Sequence, residues 1–77
     1  MSDGALEPAR GLLAEALGLP ASAVPDEAAV GTLPAWDSLG HVKVIVAVEA
    51  RLGRQLEPEQ LVTIRSLADV AGALDGA

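Results

Sequence analysis

The chain contains no cysteine. Disulfides and thiolate metal sites are therefore excluded, and any thioester chemistry would need a thiol from outside the polypeptide. It has one histidine and scattered carboxylates, so no metal-ligand set is apparent. Phe and Tyr are absent, and Trp36 is the only aromatic residue. Such a core should be filled by Ala, Leu and Val and be rather deformable, with no large rings to set its shape. Basic residues are few: five Lys and Arg face eleven Asp and Glu, for a net charge of −6. That balance argues against nucleic acid and against an anionic membrane surface, and favours positively charged protein partners. No 18-residue apolar run is present, and Met1-Ser2-Asp3-Gly4 is not the start of a signal peptide. A cytoplasmic protein is expected, with no membrane partner. Glycine-rich phosphate loops are missing as well.

What is present is enough for one small core. Seventy-seven residues bury only about 60% of the unfolded surface, which leaves little room for a deep preformed active site. The 51% hydrophobic content argues against disorder. Residues 1–77 are read as a single domain, expected to be monomeric. The Met1 start and short tail suggest a free-standing protein.

Leu6, Leu13 and Leu17, with Leu12 and Ala16 beside them, predict a first helix over about residues 5–17. Pro8 belongs in a first turn, so the start could be as late as Glu7. Gly18 and Pro20 end the helix. From Leu19 to Trp36 the chain reads as a long loop, with Val24, Val30 and Leu33 dipping into the core and short helical turns available at 21–24 or 26–30.

The stretch from His41 to Glu49 alternates valines and could pass for a strand. Asp37 as an N-cap, the helix formers up to Leu52 and Gly53 as a stop favour helix over 38–52 instead. Its inward face is predicted as Leu39, Val42, Ile45 or Val46, Glu49 and Leu52. Pro58 to Leu61 reads as one short helical turn with Leu61 facing in. Ser66 as N-cap with Asp69 at N3 starts the last helix, whose stripe is Leu67, Val70, Ala71 and Leu74. Gly76 and Ala77 should fray. The expected fold is all-α: a small four-helix bundle, three main helices plus one short one, with a long loop between helices one and two.

Chemistry concentrates at Trp36-Asp37-Ser38-Leu39-Gly40-His41. Ser38 would stand exposed at a helix mouth, before free N–H groups and the positive end of the dipole, a place suited to an anionic group. Asp37, Ser38 and His41 superficially resemble a hydrolytic triad. Asp37 is occupied as a cap, however, and a helix-surface serine in so small a domain lacks walls to bind a substrate. No catalytic residues and no metal site are assigned. Ser38 reads better as an attachment point, although a serine at a helix start is common in its own right.

Four segments carry a wider resemblance. These are Ala14-Glu15-Ala16-Leu17-Gly18-Leu19, Trp36-Asp37-Ser38-Leu39, Val48-Glu49-Ala50-Arg51-Leu52-Gly53, and Thr63-Ile64-Arg65-Ser66-Leu67-Ala68-Asp69-Val70. In order and spacing they resemble, respectively, the end of helix one, the attachment motif, the end of helix two and the start of the last helix of the acyl carrier proteins. The resemblance implies a carrier that is not an enzyme. It implies that a phosphopantetheinyl transferase moves 4′-phosphopantetheine from coenzyme A to Ser38, covalently, with an acyl group then held as a thioester. Implied partners are acyltransferases or ligases, ketosynthases and other acyl-processing enzymes, meeting helix two through Asp37 and Leu39. By helical spacing, His41, one turn after Ser38, is read as a cofactor-binding residue that could lie beside the phosphate and pair with it when protonated, with a solvent-exposed histidine as the alternative.

Two departures narrow the reading. Carriers of fatty acid biosynthesis usually continue Asp-Ser-Leu with an acid and keep helix two acidic. Here Gly40, His41 and Lys43 follow, and residues 37–54 hold two acids (Asp37, Glu49) against three bases (Lys43, Arg51, Arg54). Trp36 and His41 look more like discrete carriers of specialised pathways, including polyketide biosynthesis. The Gly-Gly-His/Asp-Ser-Leu pattern of peptidyl carriers is missing. A peptidyl or aminoacyl carrier, and a cofactor-free helical interaction module, stand as the alternatives.

Overall fold

A computed structural model describes residues 2–75, with side chains from Leu6 onward; Gly76 and Ala77, expected to fray, lie outside the described residues. Four helices follow in order: α1 (Ser2–Leu17), α2 (Ser38–Leu52), α3 (Pro58–Thr63) and α4 (Leu67–Asp75). No strand forms among the described residues, and the valine-rich segment is helical throughout. The all-α bundle of three main helices and one short one is the observed architecture.

The first helix starts earlier than expected, and Pro8 lies inside it. The missing Pro8 N–H deprives only the carbonyl four residues back, which is still in the first turn, so the helix runs through. At its end, Leu19 N–H donates to the Ala14 carbonyl (2.8 Å) and Gly18 N–H to that of Glu15 (3.3 Å). With Gly18 at φ 72°, this paired arrangement satisfies the last carbonyls and stops the helix.

The core is built by Ala9, Leu12 and Leu13 of α1, Val44 and Val48 of α2, and Leu67 and Val70 of α4. Val24, Ala28 and Trp36 join it from the loop before α2, and Leu56 and Ile64 from the flanks of α3. Val30 and Leu33 pack against it partly buried. Trp36 is 0% exposed and is the largest fully buried side chain. A rigid ring therefore does help set the shape of the interior, contrary to the expectation of an all-aliphatic core.

The loop is held from both sides. Arg10 of α1 donates to the Val24 carbonyl and pairs with Asp26 and Glu7. Asp26 raises the guanidinium's already high pKa, partial burial lowers it, and Glu7 raises it again. Near α4, Val30 N–H donates to the Arg65 carbonyl and Leu67 N–H to that of Ala28, both at 2.9 Å.

Two orientations differ from the sequence pattern. The buried side of α2 carries Gly40, Val44 and Val48, with Ile45 and Leu52 partly buried. Leu39, Val42 and Val46 face solvent, each more than half exposed. Apolar residues lie on every side of α2, and Lys43 is the one charged residue among Leu39, Val42 and Val46, so periodicity alone did not separate the covered face from the exposed one. Leu61 of α3 also faces out; the inward anchors are its flanks, Leu56 and Ile64.

Candidate functional site

The junction between loop and α2 is shaped by three residues. Asp37 sits in extended conformation, and its carboxylate accepts from Gly40 N–H at 2.8 Å. Its backbone carbonyl accepts from His41 N–H at 2.7 Å. The N–H groups of Ser38 and Leu39 thus remain without an intrahelical acceptor, as at any helix start. Ser38 is the first residue of α2 and is exposed.

Gly40 explains why this junction sits where it does. A Cβ there would collide with the Ala35 carbonyl oxygen and come within 2.9 Å of Leu17 Cδ2. Only glycine lets α2 come this close to the loop and to the end of α1. Any larger residue at this position would meet those same atoms.

His41 does not point freely into solvent. Trp36 Nε1–H donates to its Nδ1 at 3.0 Å, and its Nε2 lies 3.2 Å from the Leu61 carbonyl oxygen. The ring centroids of Trp36 and His41 are 6.1 Å apart with planes 26° apart, consistent with a bond running in the plane of both rings. The structure thus brings Trp36, Asp37, Ser38 and His41 together. Leu39 projects outward from the same turn at 67% exposure.

A hydrolytic arrangement is not what these bonds build. Asp37 serves the α2 backbone, and both ring nitrogens of His41 serve Trp36 and Leu61. No cluster of metal-binding side chains occurs among the described residues. No helix is long and apolar enough to cross a membrane, again among the described residues.

Residues 9–74 match the family model described as the phosphopantetheine attachment site. The chain belongs to the phosphopantetheine-attachment family. No curated protein and no solved structure matches it. Members of this family are non-catalytic carriers, and the domain is the attachment site for covalently bound 4′-phosphopantetheine. The geometry fits such a group. An exposed serine oxygen at a helix start, with two N–H groups unclaimed by the helix, can present and stabilise a phosphodiester. Such carriers meet phosphopantetheinyl transferases and acyl-processing enzymes in general.

Sequence reasoning missed three residues that support the site. Arg10 drew no assignment from the sequence, yet it donates to the Val24 carbonyl. Glu49 was assigned to an apolar face, but its Oε2 accepts from Leu56 N–H at 2.9 Å. Gly40 was noticed only as a departure from an acidic pattern. A glycine immediately behind a helix cap was the available signal for close backbone approach.

Proposed function

We propose that Ser38 is the residue that carries 4′-phosphopantetheine, and that the loaded protein shuttles an acyl group between enzymes of a specialised, polyketide-type pathway. The observation that carries this reading is the exposed Ser38 at the first position of α2, behind the Asp37 cap. In the loading step the Ser38 oxygen attacks the phosphorus of coenzyme A next to the pantetheine. A phosphodiester forms, the diphosphate bond breaks and the adenosine bisphosphate leaves, while the hydroxyl proton passes to the transferase. The arm then supplies the thiol that the chain lacks, and an acyl group bound there is a thioester.

Asp37 holds the first turn in the shape that presents Ser38. Leu39 contacts the transferase and later partners. His41 acts on the site through Trp36 and Leu61. The exposed stripe of Leu39, Val42 and Val46, with Lys43 among them, favours partners that bind an apolar surface over partners that read an acidic one. This surface supports the specialised reading over the fatty-acid one. The whole chain works as one carrier domain.

Incubation with coenzyme A and a promiscuous transferase should add the mass of one phosphopantetheine, and Ser38→Ala should abolish the gain. An unchanged mass for the parent chain, or a gain that survives in Ser38→Ala, would overturn the assignment.

A further inference from the structure

The short helix α3 buries none of its own residues. A six-residue helix is not stable by itself in water, so its place must be set by its ends. Its first turn is closed by Gln60, whose Oε1 accepts from Glu57 N–H and whose N–H donates to the Glu57 carbonyl, both at 2.9 Å. Just before it, Leu56 N–H is held by Glu49 of α2. In its last turn the Leu61 carbonyl lacks the donor a longer helix would supply, because Arg65 N–H goes to Asp69 Oδ2 at 3.0 Å instead. The Nε2 of His41 takes that place. Glu49 and His41 are eight residues apart on α2, about 12 Å along its axis. So α3 runs back along α2 toward Ser38, tied at both ends.

The two partners of His41 select one form of its ring. An indole N–H can only donate, so Nδ1 must be a bare acceptor. A carbonyl oxygen can only accept, so Nε2 must carry the hydrogen. We propose that His41 is a positioning residue. As the neutral Nε2–H tautomer it ties α3 to the start of α2, three residues from Ser38, through a chain running from the Trp36 indole N–H to the Leu61 carbonyl. A second proton on Nδ1 puts a donor against the indole N–H and breaks that chain.

Among the described residues, no carboxylate bonds to the ring. On α2, Asp37 binds Gly40 and Glu49 binds Leu56, while Lys43 makes no ion pair among the described residues. At and just before α3, neither Glu59 nor Glu57 makes an ion pair among the described residues. The loop presents only the indole. The tether itself is independent of the carrier reading; its consequence for presenting Ser38 rests on that reading.

The test uses the full chain without its arm. Nitrogen-15 spectra should show Nδ1 bare and Nε2 protonated. His41→Phe, which removes both ring nitrogens, should lower amide-exchange protection of residues 59–64 by about fivefold, the loss of one hydrogen bond of ordinary strength. Protection in α1 and α4 should hold. His41→Gln, which keeps a donor toward Leu61, should fall between the two. Acid that protonates the ring should loosen α3 in the parent chain but add nothing in His41→Phe. A hydrogen on Nδ1 in the unmodified chain overturns the tether, as does unchanged α3 protection in His41→Phe or equal acid loosening in both. Loading of Ser38 is scored separately by mass, so its failure strikes the carrier reading and leaves the tether standing.

Discussion

Two stretches leave α2, one at each end, and they are held in different ways. The stretch before it, from Gly18 to Asp37, has almost no regular structure apart from the 3-10 turn Ala21–Ala23. Yet it places Val24, Ala28 and Trp36 in the core and is pinned by Arg10. The stretch after it contains a true helix, α3, which buries nothing within its own bounds. Regular backbone bonding and burial are thus separable. The irregular segment owes its shape to side chains spread through the core, and the helical one to its buried flanks, Leu56 and Ile64, and two side-chain tethers on its neighbour.

Breaking the first stretch should cost most. Trp36→Ala empties the largest core site and should destabilise by about 3–5 kcal/mol. That is a large part of the total for a domain of this size. Chemical denaturation monitored by circular dichroism measures it. Gly40→Val comes next, since any side chain there meets the Ala35 carbonyl and Leu17. Overpacking of this kind costs about 1–3 kcal/mol, and the same denaturation curve reads it.

Arg10→Met should lower the thermal midpoint by less, because it releases the loop at Val24 and Asp26 without emptying the core. Asp26 and Glu7 raise the guanidinium pKa. Stability from that charge is present below the unfolded-state pKa and is lost only as pH rises through the folded one, far into the alkaline range. The midpoint difference between Arg10→Met and the parent should therefore hold at any pH from neutral to mildly alkaline, where Arg10 stays charged. Val62→Ser, on the exposed side of α3, should change stability by no more than about 0.5 kcal/mol. A large loss in Val62→Ser, or none in Trp36→Ala, would erase the contrast between the two stretches.

Much of this was legible in the sequence because local rules agreed with one another. Asp37, Gly18, Gly53 and the Ser66–Asp69 pair marked the helix ends. The attachment motif and its three companion segments pointed to the family that residues 9–74 match. The inward face of α2 was not legible. Its valines and leucines circle the helix, and only the position of the loop decides which of them is covered. The bond from Trp36 to His41 was hidden for a related reason. It joins a loop residue to a helix residue five places on, a spacing that no helical or strand period brings together. Pro8 misled because its cost depends on which carbonyl loses a donor, and that carbonyl lay in the first turn.

Trp36 has one last consequence, an optical one. With no tyrosine in the chain, all of its near-ultraviolet emission comes from one indole. That indole is buried, hydrogen-bonded to His41 and two residues from Ser38. The protein therefore carries its own label at the mouth of α2, and unlabelled samples can report changes there through the colour and intensity of a single fluorophore.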